Sequence, residues 1–199
     1  MSGLRNDQLA IAEWIQAGSR VLDLGCGDGA LLSHLQRERA VTGYGIEIDP
    51  ANIIRCLDAG VNVIQSDLDG GLSDFGDASF DYVIMTETLQ AMRYPHRVLR
   101  EMLRVGRQGI VTIPNFGHWR CRLQIALGRM PVTEHLPHTW YNTPNIHMCT
   151  IRDFESLCVG EGVEVLDRRT LDTRHRATLG MRWLPNLLGE VALYRCRRR

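Results

Sequence analysis

Short apolar runs and amphipathic stretches alternate through the first 115 residues. Val21–Leu24, Gly43–Ile48, Val61–Ile64, Phe80–Met85 and Ile110–Ile113 are bounded by turn residues and predict five buried strands. Between them, apolar residues recur at helical spacing. Leu9, Ala12, Trp14 and Ile15 form a first helix, capped by Asn6 or Asp7 and ended by Gly18 and Ser19. Leu31, Leu32 and Leu35 place a second helix to about Glu38. Ile53, Ile54 and Leu57 give a third its apolar stripe, with Pro50 at its start and Gly60 past its end. Residues 69–79 are rich in Gly, Asp and Ser and read as a loop. A helical segment broken near Pro95 runs to about Val105. Strands flanked by helices on both sides predict a doubly wound, mostly parallel sheet.

The alternation stops at Asn115. Residues 118–130 predict an amphipathic helix with Trp119, Leu123, Ala126, Leu127 and Met130 on one side. Residues 131–148 are irregular, carrying three prolines, three histidines, Trp140 and Tyr141, so 115–148 reads as a lid or insertion. Thr150-Ile-Arg-Asp153 resembles a capping box opening a helix through Phe154, Leu157 and Cys158. Val163–Leu171 and Glu190–Cys196 are the last strands, joined by a long connection, 172–188. The whole chain, 1–199, reads as one domain.

Composition narrows the chemistry. All 23 basic residues are arginine, which removes Schiff-base lysines and the Walker lysine. Net charge is zero, but residues 1–95 carry 14 acidic and 6 basic side chains and residues 96–199 carry 9 and 17. That split means either two faces of opposite sign or a basic surface for an acidic partner. The arginines are scattered and accompany no nucleic-acid motif. The six cysteines form no C-x-x-C pair, and no apolar run reaches membrane-span length. Met1–Leu9 lacks the apolar core of a secretory signal, so a cytoplasmic location is expected. His118, His135, His138 and His147 lie near one another in sequence without a metal-binding spacing, and no metal is expected.

Candidate chemistry concentrates at Val21-Leu-Asp-Leu-Gly-Cys-Gly-Asp-Gly29, a strand, a tight turn and a helix start. Such a turn exposes backbone N–H groups to a ligand. Gly25-x-Gly27-x-x-Ala30 fits a dinucleotide fingerprint; Asp23-x-Gly25-x-Gly27-x-Gly29 fits the pattern of class I methyltransferases. Asp23 at the end of strand one would repel a pyrophosphate and suits a cationic amino or sulfonium group. Alternatively it ties down the turn by accepting backbone N–H bonds. Glu47 ends strand two, where a carboxylate accepts from ribose hydroxyls, and Asp67 follows strand three. Three carboxylates fit a neutral or cationic nucleoside better than a dinucleotide.

Beyond the glycine motif, Gly-Ile-Glu-Ile-Asp-Pro50, Ser66-Asp-Leu68 and Phe80-Asp-Tyr-Val-Ile84 resemble successive motifs of S-adenosylmethionine-dependent methyltransferases. The resemblance implies a Rossmann-like, seven-stranded class I methyltransferase sheet with a C-terminal antiparallel hairpin. It implies S-adenosylmethionine or S-adenosylhomocysteine as cofactor, held by Asp23, Gly25, Cys26, Gly27, Glu47, Ile48, Asp67, Leu68 and Thr86, with Asp67 on the adenine amino group. Nearly end to end the chain is similar to the methionine biosynthesis protein MetW family. The distinctive blocks are Pro114-Asn-Phe-Gly-His-Trp119 and Trp140-Tyr-Asn-Thr-Pro-Asn-Ile-His147, with Arg5-Asn-Asp7 and Thr88-Leu-Gln90 beside them.

That resemblance implies work alongside a homoserine O-acyltransferase, acetyl or succinyl, of the α/β-hydrolase kind. None of the seven serines sits on a G-x-S-x-G elbow, so the acyl nucleophile is expected on that partner. A free-standing small-molecule methyltransferase is the alternative, and a nicotinamide-dependent oxidoreductase on the same turn is a third. For methyl transfer the substrate-side candidates are Thr86, Glu87, Gln90, His118, Trp119, Trp140, Tyr141 and His147, with no catalytic residue assigned. The two tryptophans are expected to serve in packing and the two histidines as ordinary hydrogen-bonded groups.

Overall fold

The computed structural model describes residues 4–172 and 179–199. A seven-stranded sheet organises them in the order β3-β2-β1-β4-β5-β7-β6. The strands are β1 (Arg20–Leu24), β2 (Thr42–Glu47), β3 (Val63–Gln65), β4 (Phe80–Thr86), β5 (Gly106–Pro114), β6 (Val163–Leu171) and β7 (Val191–Arg198). The first five are parallel; β7 runs antiparallel to both β5 and β6, as the closing-hairpin expectation requires. The order in which strands are added to the sheet reverses between β1 and β4, which opens a crevice above their C-terminal ends.

Helices α1 (Asn6–Trp14), α2 (Ala30–Arg39) and α3 (Pro50–Asp58) belong to one half of the core, α4 (Pro95–Val105) and α6 (Ile151–Gly160) to the other. Ile11, Ile15, Leu32, Leu35 and Cys56 pack against one face of the sheet. Leu99, Met102, Phe154 and Cys158 pack against the opposite face. The remaining helices are α5 (Trp119–Ala126), α7 (Leu179–Trp183) and α8 (Pro185–Leu188). Of the 172–188 connection, residues 173–178 lie outside the described residues.

Several boundaries differ from expectation for local reasons. The α1 cap is Arg5, whose backbone N–H donates to Gln8 Oε1 at 3.1 Å, while Asp7 lies inside the helix. α5 stops before residue 130 because Gly128, at φ 76°, adopts the left-handed conformation that ends helices. The break before Pro95 holds: a 3-10 turn, Leu89–Ala91, precedes α4, which starts on that proline. The Thr150–Asp153 capping box forms, with Thr150 Oγ1 accepting from Asp153 N and Asp153 Oδ2 accepting from Thr150 N. On α3, Ile54 and Leu57 face outward and only Cys56 is buried. All six cysteines are free thiols, five of them buried.

Candidate functional site

The glycine turn is built by backbone conformations that only glycine adopts cheaply. Gly25, Gly27 and Gly29 have φ of 72°, 57° and 74°. Their surroundings separate their jobs. A Cβ on Gly25 would sit 2.6 Å from Thr88 Oγ1, and one on Gly29 would sit 3.0 Å from Cys56 Sγ, so both permit packing within the protein. A Cβ on Gly27 would meet nothing within 4 Å, so its outer side faces open space.

Glu47 fastens the turn to β2. Its Oε2 accepts from Gly27 N at 2.8 Å, and its Oε1 accepts from Ile48 N at 2.8 Å and Asp49 N at 3.0 Å. A carboxylate has about four lone-pair sites, so roughly one stays open toward the crevice. Ile46 O accepts from both Gly25 N and Cys26 N, and Cys56 Sγ donates to Gly27 O at 3.2 Å. The Cys26 side chain points inward, 3.7 Å from Cys56 Sγ, and burial holds its thiol far above the ordinary range. Only its backbone therefore faces the crevice.

Asp23 is 2% exposed and its Oδ1 has no hydrogen-bond partner. The backbone-tying reading of this residue is not what the structure shows. Burial, aided by the nearby Glu47 carboxylate, raises its pKa from 3.8 to about 7. A buried carboxyl with an orphan oxygen is matched by a cationic hydrogen-bond donor. Asp67 is exposed, and its Oδ1 caps the short 3-10 turn Leu68–Gly70 through Asp69 N at 2.9 Å. The Leu68 side chain is in the core, so a ligand contact there would be its backbone's. Ile48 is exposed beside the end of β2, an apolar surface for a flat ring. Thr86 ends β4, and its carbonyl accepts from Thr88 Oγ1 at 2.9 Å. Asp23, Glu47, Asp67 and Thr86 thus stand at the C-terminal ends of adjacent parallel strands.

The other half of the crevice carries a charged cluster. Glu87, directly after β4, has φ 50°, and its N–H donates to Thr112 Oγ1 at 2.9 Å. His135 from the 115–148 segment lies with Nδ1 3.7 Å from Glu87 Oε1 and Nε2 3.9 Å from Glu190 Oε2. The adjacent Glu87 carboxylate raises its pKa. His118 Nε2 lies 3.8 Å from Glu190 Oε1, but burial lowers its pKa. Arg5 pairs with the buried Asp7 through two bonds, 2.9 and 3.1 Å, and lies 4.0 Å from Glu87 Oε2. A cleft of about 660 Å³ opens here, lined by His118, Trp119, Arg120, Glu134, Asp172 and Glu190. Among the described residues, no group of three or more His, Cys, Asp or Glu side chains is arranged to hold a metal ion.

Of the substrate-side candidates, Glu87 and His118 join this cluster. Gln90 and His147 meet elsewhere: Gln90 O accepts from Ile146 N and His147 N, pinning the segment to the end of β4. Trp119, Trp140 and Tyr141 do not pack in the core; Trp140 is 73% and Tyr141 72% exposed. Arg5, Asp7 and Glu190 are not among the site residues predicted from the sequence, and His135 is there only as a metal candidate. The Arg5-Asn-Asp7 block was the one available signal.

This sheet order, with a glycine turn after β1 and carboxylates closing the neighbouring strands, is that of the S-adenosylmethionine-dependent methyltransferase fold. A methyltransferase of that class from Mesorhizobium loti superposes with a TM-score of 0.72, 17% identity and 98% of each chain covered. More particularly, the family model described as methionine biosynthesis protein MetW matches residues 5–196, and the chain belongs to that family. It is 40% identical over 164 residues to the bifunctional methionine biosynthesis protein MetXA/MetW of Rhodopirellula baltica, which covers 77% of this chain and 26% of that protein. A ubiquinone biosynthesis O-methyltransferase of Pseudomonas fluorescens is 33% identical over 98 residues, 47% of this chain and 42% of its own. The chain thus spans about a quarter of the first relative and under half of the second.

Proposed function

We propose that the crevice binds S-adenosylmethionine or S-adenosylhomocysteine and that the protein acts with a homoserine O-acyltransferase in methionine biosynthesis. The observation that carries the ligand is Asp23, a buried carboxyl with an unmet oxygen beside the open side of Gly27. Its place suits the ligand's α-amino group. The open lone pair of Glu47 would take a ribose hydroxyl, Asp67 the adenine amino group, and Ile48 the adenine face. Gly25, Cys26, Gly27, Leu68 and Thr86 would contribute backbone. S-adenosylmethionine, when bound, supplies an electrophilic methyl group, whereas this chain's own residues supply recognition and orientation.

The fused MetXA/MetW relative supports the partnership. The absence of a serine elbow in the sequence leaves acyl transfer itself to the partner. Binding the ligand while contacting the acyltransferase would let methionine-derived S-adenosylmethionine set the rate of homoserine acylation. The test is to mix the two purified proteins and assay acylation with and without this chain and ligand. A complex with a changed rate is expected; the absence of both a complex and a rate change refutes the proposal.

The cleft lined by His118 and Glu190 favours one second reading, a free-standing small-molecule methyltransferase. Methyl-label transfer from S-adenosylmethionine to an acceptor in a cell extract would establish it.

A further inference from the structure

The stripe Trp119, Leu123, Ala126, Leu127 and Met130 has helical spacing, but none of the described residues covers it. Leu123 is 51% and Leu127 69% exposed, and Met130 is half exposed; within α5 only Cys121 is buried. Met130, Val132, Trp140 and Tyr141 extend the exposed apolar surface into the following segment. Residues 117–141 contain three exposed arginines, Arg120, Arg122 and Arg129, and one acidic residue, Glu134, which lines the adjoining cleft. Aromatic, methionine and arginine side chains with few acidic ones are the composition of a protein interface centre. Solvent-facing apolar surface of this kind marks an interaction site.

We infer that the outward face of α5 and the adjoining 130–141 segment is the docking surface for the homoserine O-acyltransferase. The inference rests on the partnership proposed above. Two observations favour that occupant. The relative that fuses this module to MetXA keeps the two activities in one polypeptide, so a face of the module is held beside an acyltransferase. The surface is also continuous with the cofactor crevice, because its segment is anchored to Glu87 through His135 and to Gln90 through Ile146 and His147. A partner seated there contacts the element that borders the ligand. Arg120 already lies 3.8 Å from Glu190 Oε1, so Arg122 and Arg129 are the arginines that call for an acidic rim on the partner's face.

The test measures the dissociation constant of the full chain with the acyltransferase from the same organism. Leu123→Glu/Leu127→Glu is compared with Ile54→Glu/Leu57→Glu, a control on the exposed face of α3. The α5 pair is expected to weaken the complex at least tenfold, with melting temperature and S-adenosylmethionine affinity unchanged, while the α3 pair leaves it intact. A complex unaltered by the α5 pair, or weakened instead by the α3 pair, overturns the assigned surface and leaves the partnership standing. No complex with the unsubstituted chain overturns the partnership itself and the surface with it. Loss of a homodimer in the α5 pair, with acyltransferase affinity unchanged, assigns the face to a second copy and also overturns the inference.

Discussion

Asp23 and Glu47 are carboxyl groups near one another at the base of the crevice, and their environments set them apart. Glu47 receives three backbone N–H bonds, whereas Asp23 has an orphan oxygen and a pKa raised to about 7. An unfolded aspartate ionises near 3.9. Between that value and about 7 the folded ligand-free protein keeps a proton that the unfolded chain has lost, so its stability falls as pH rises through this window. A ligand ammonium has the opposite need, since it binds the ionised form. S-adenosylmethionine affinity should therefore rise as pH increases from about 5 toward neutrality, where Asp23 ionises while the ligand's amino group is still an ammonium. Asp23→Asn should weaken binding and flatten both dependences, read by calorimetry and thermal melts from pH 5 to 8. Glu47→Ala should cost binding about 1–3 kcal/mol and also loosen the turn. Both carboxylates were legible as crevice residues from strand-end position. Which of them the backbone already satisfied was not, because that depends on atoms brought together from β2 and the turn. The inward direction of Cys26 was hidden for the same reason.

At the scale of elements, the apolar pattern predicted all seven strands and their mostly parallel order, since buried parallel strands read as short apolar runs. It predicted α5 as well, but periodicity reports which side of a helix is apolar and not what covers it. The stripe on α5 faces solvent despite its apolar periodicity, as do Ile54 and Leu57 on α3. The Pro114–Trp119 block has a structural explanation that the sequence did not offer. Asn115 donates from Nδ2 to Asn186 O and Gly189 O, and its Oδ1 accepts from Gly117 N and Ile151 N. One buried amide thereby joins the end of β5 to α6 and α8. Asn115→Ala should cost about 2–4 kcal/mol in urea unfolding by leaving these groups unpaired.

The 130–148 segment is held by His135 between Glu87 and Glu190. His135→Ala should speed limited proteolysis in that segment several-fold while far-UV circular dichroism stays unchanged. Because the His135 pKa is raised, this anchoring is full below the unfolded histidine value and is lost as pH rises through the folded one. The unsubstituted protein should thus approach the His135→Ala cleavage rate as pH increases.

Across the whole molecule, the fold positions the glycine-turn crevice, a charged cleft and an exposed apolar face at one end of the sheet. Family membership was legible because its distinctive blocks lie outside the glycine motif, in segments that build the cleft and the face. The His135, Glu87 and Glu190 cluster was not legible, since its members come from three remote stretches of chain. No described helix is long and apolar enough to cross a membrane. If S-adenosylmethionine tightens the acyltransferase complex by some factor, the acyltransferase must tighten S-adenosylmethionine binding by the same factor. Titrating the ligand in the absence and presence of the partner checks this equality.

The central claim is that the crevice under the Val21–Gly29 turn is an S-adenosylmethionine site. Titration calorimetry of S-adenosylmethionine and of NAD into the protein and its Gly27→Val variant tests it most directly. The expected result is one S-adenosylmethionine per chain, no NAD, and loss of binding in the variant, whose side chain would fill the open space at φ 57°. Binding of NAD instead, or S-adenosylmethionine affinity unchanged by Gly27→Val in a folded variant, would contradict it.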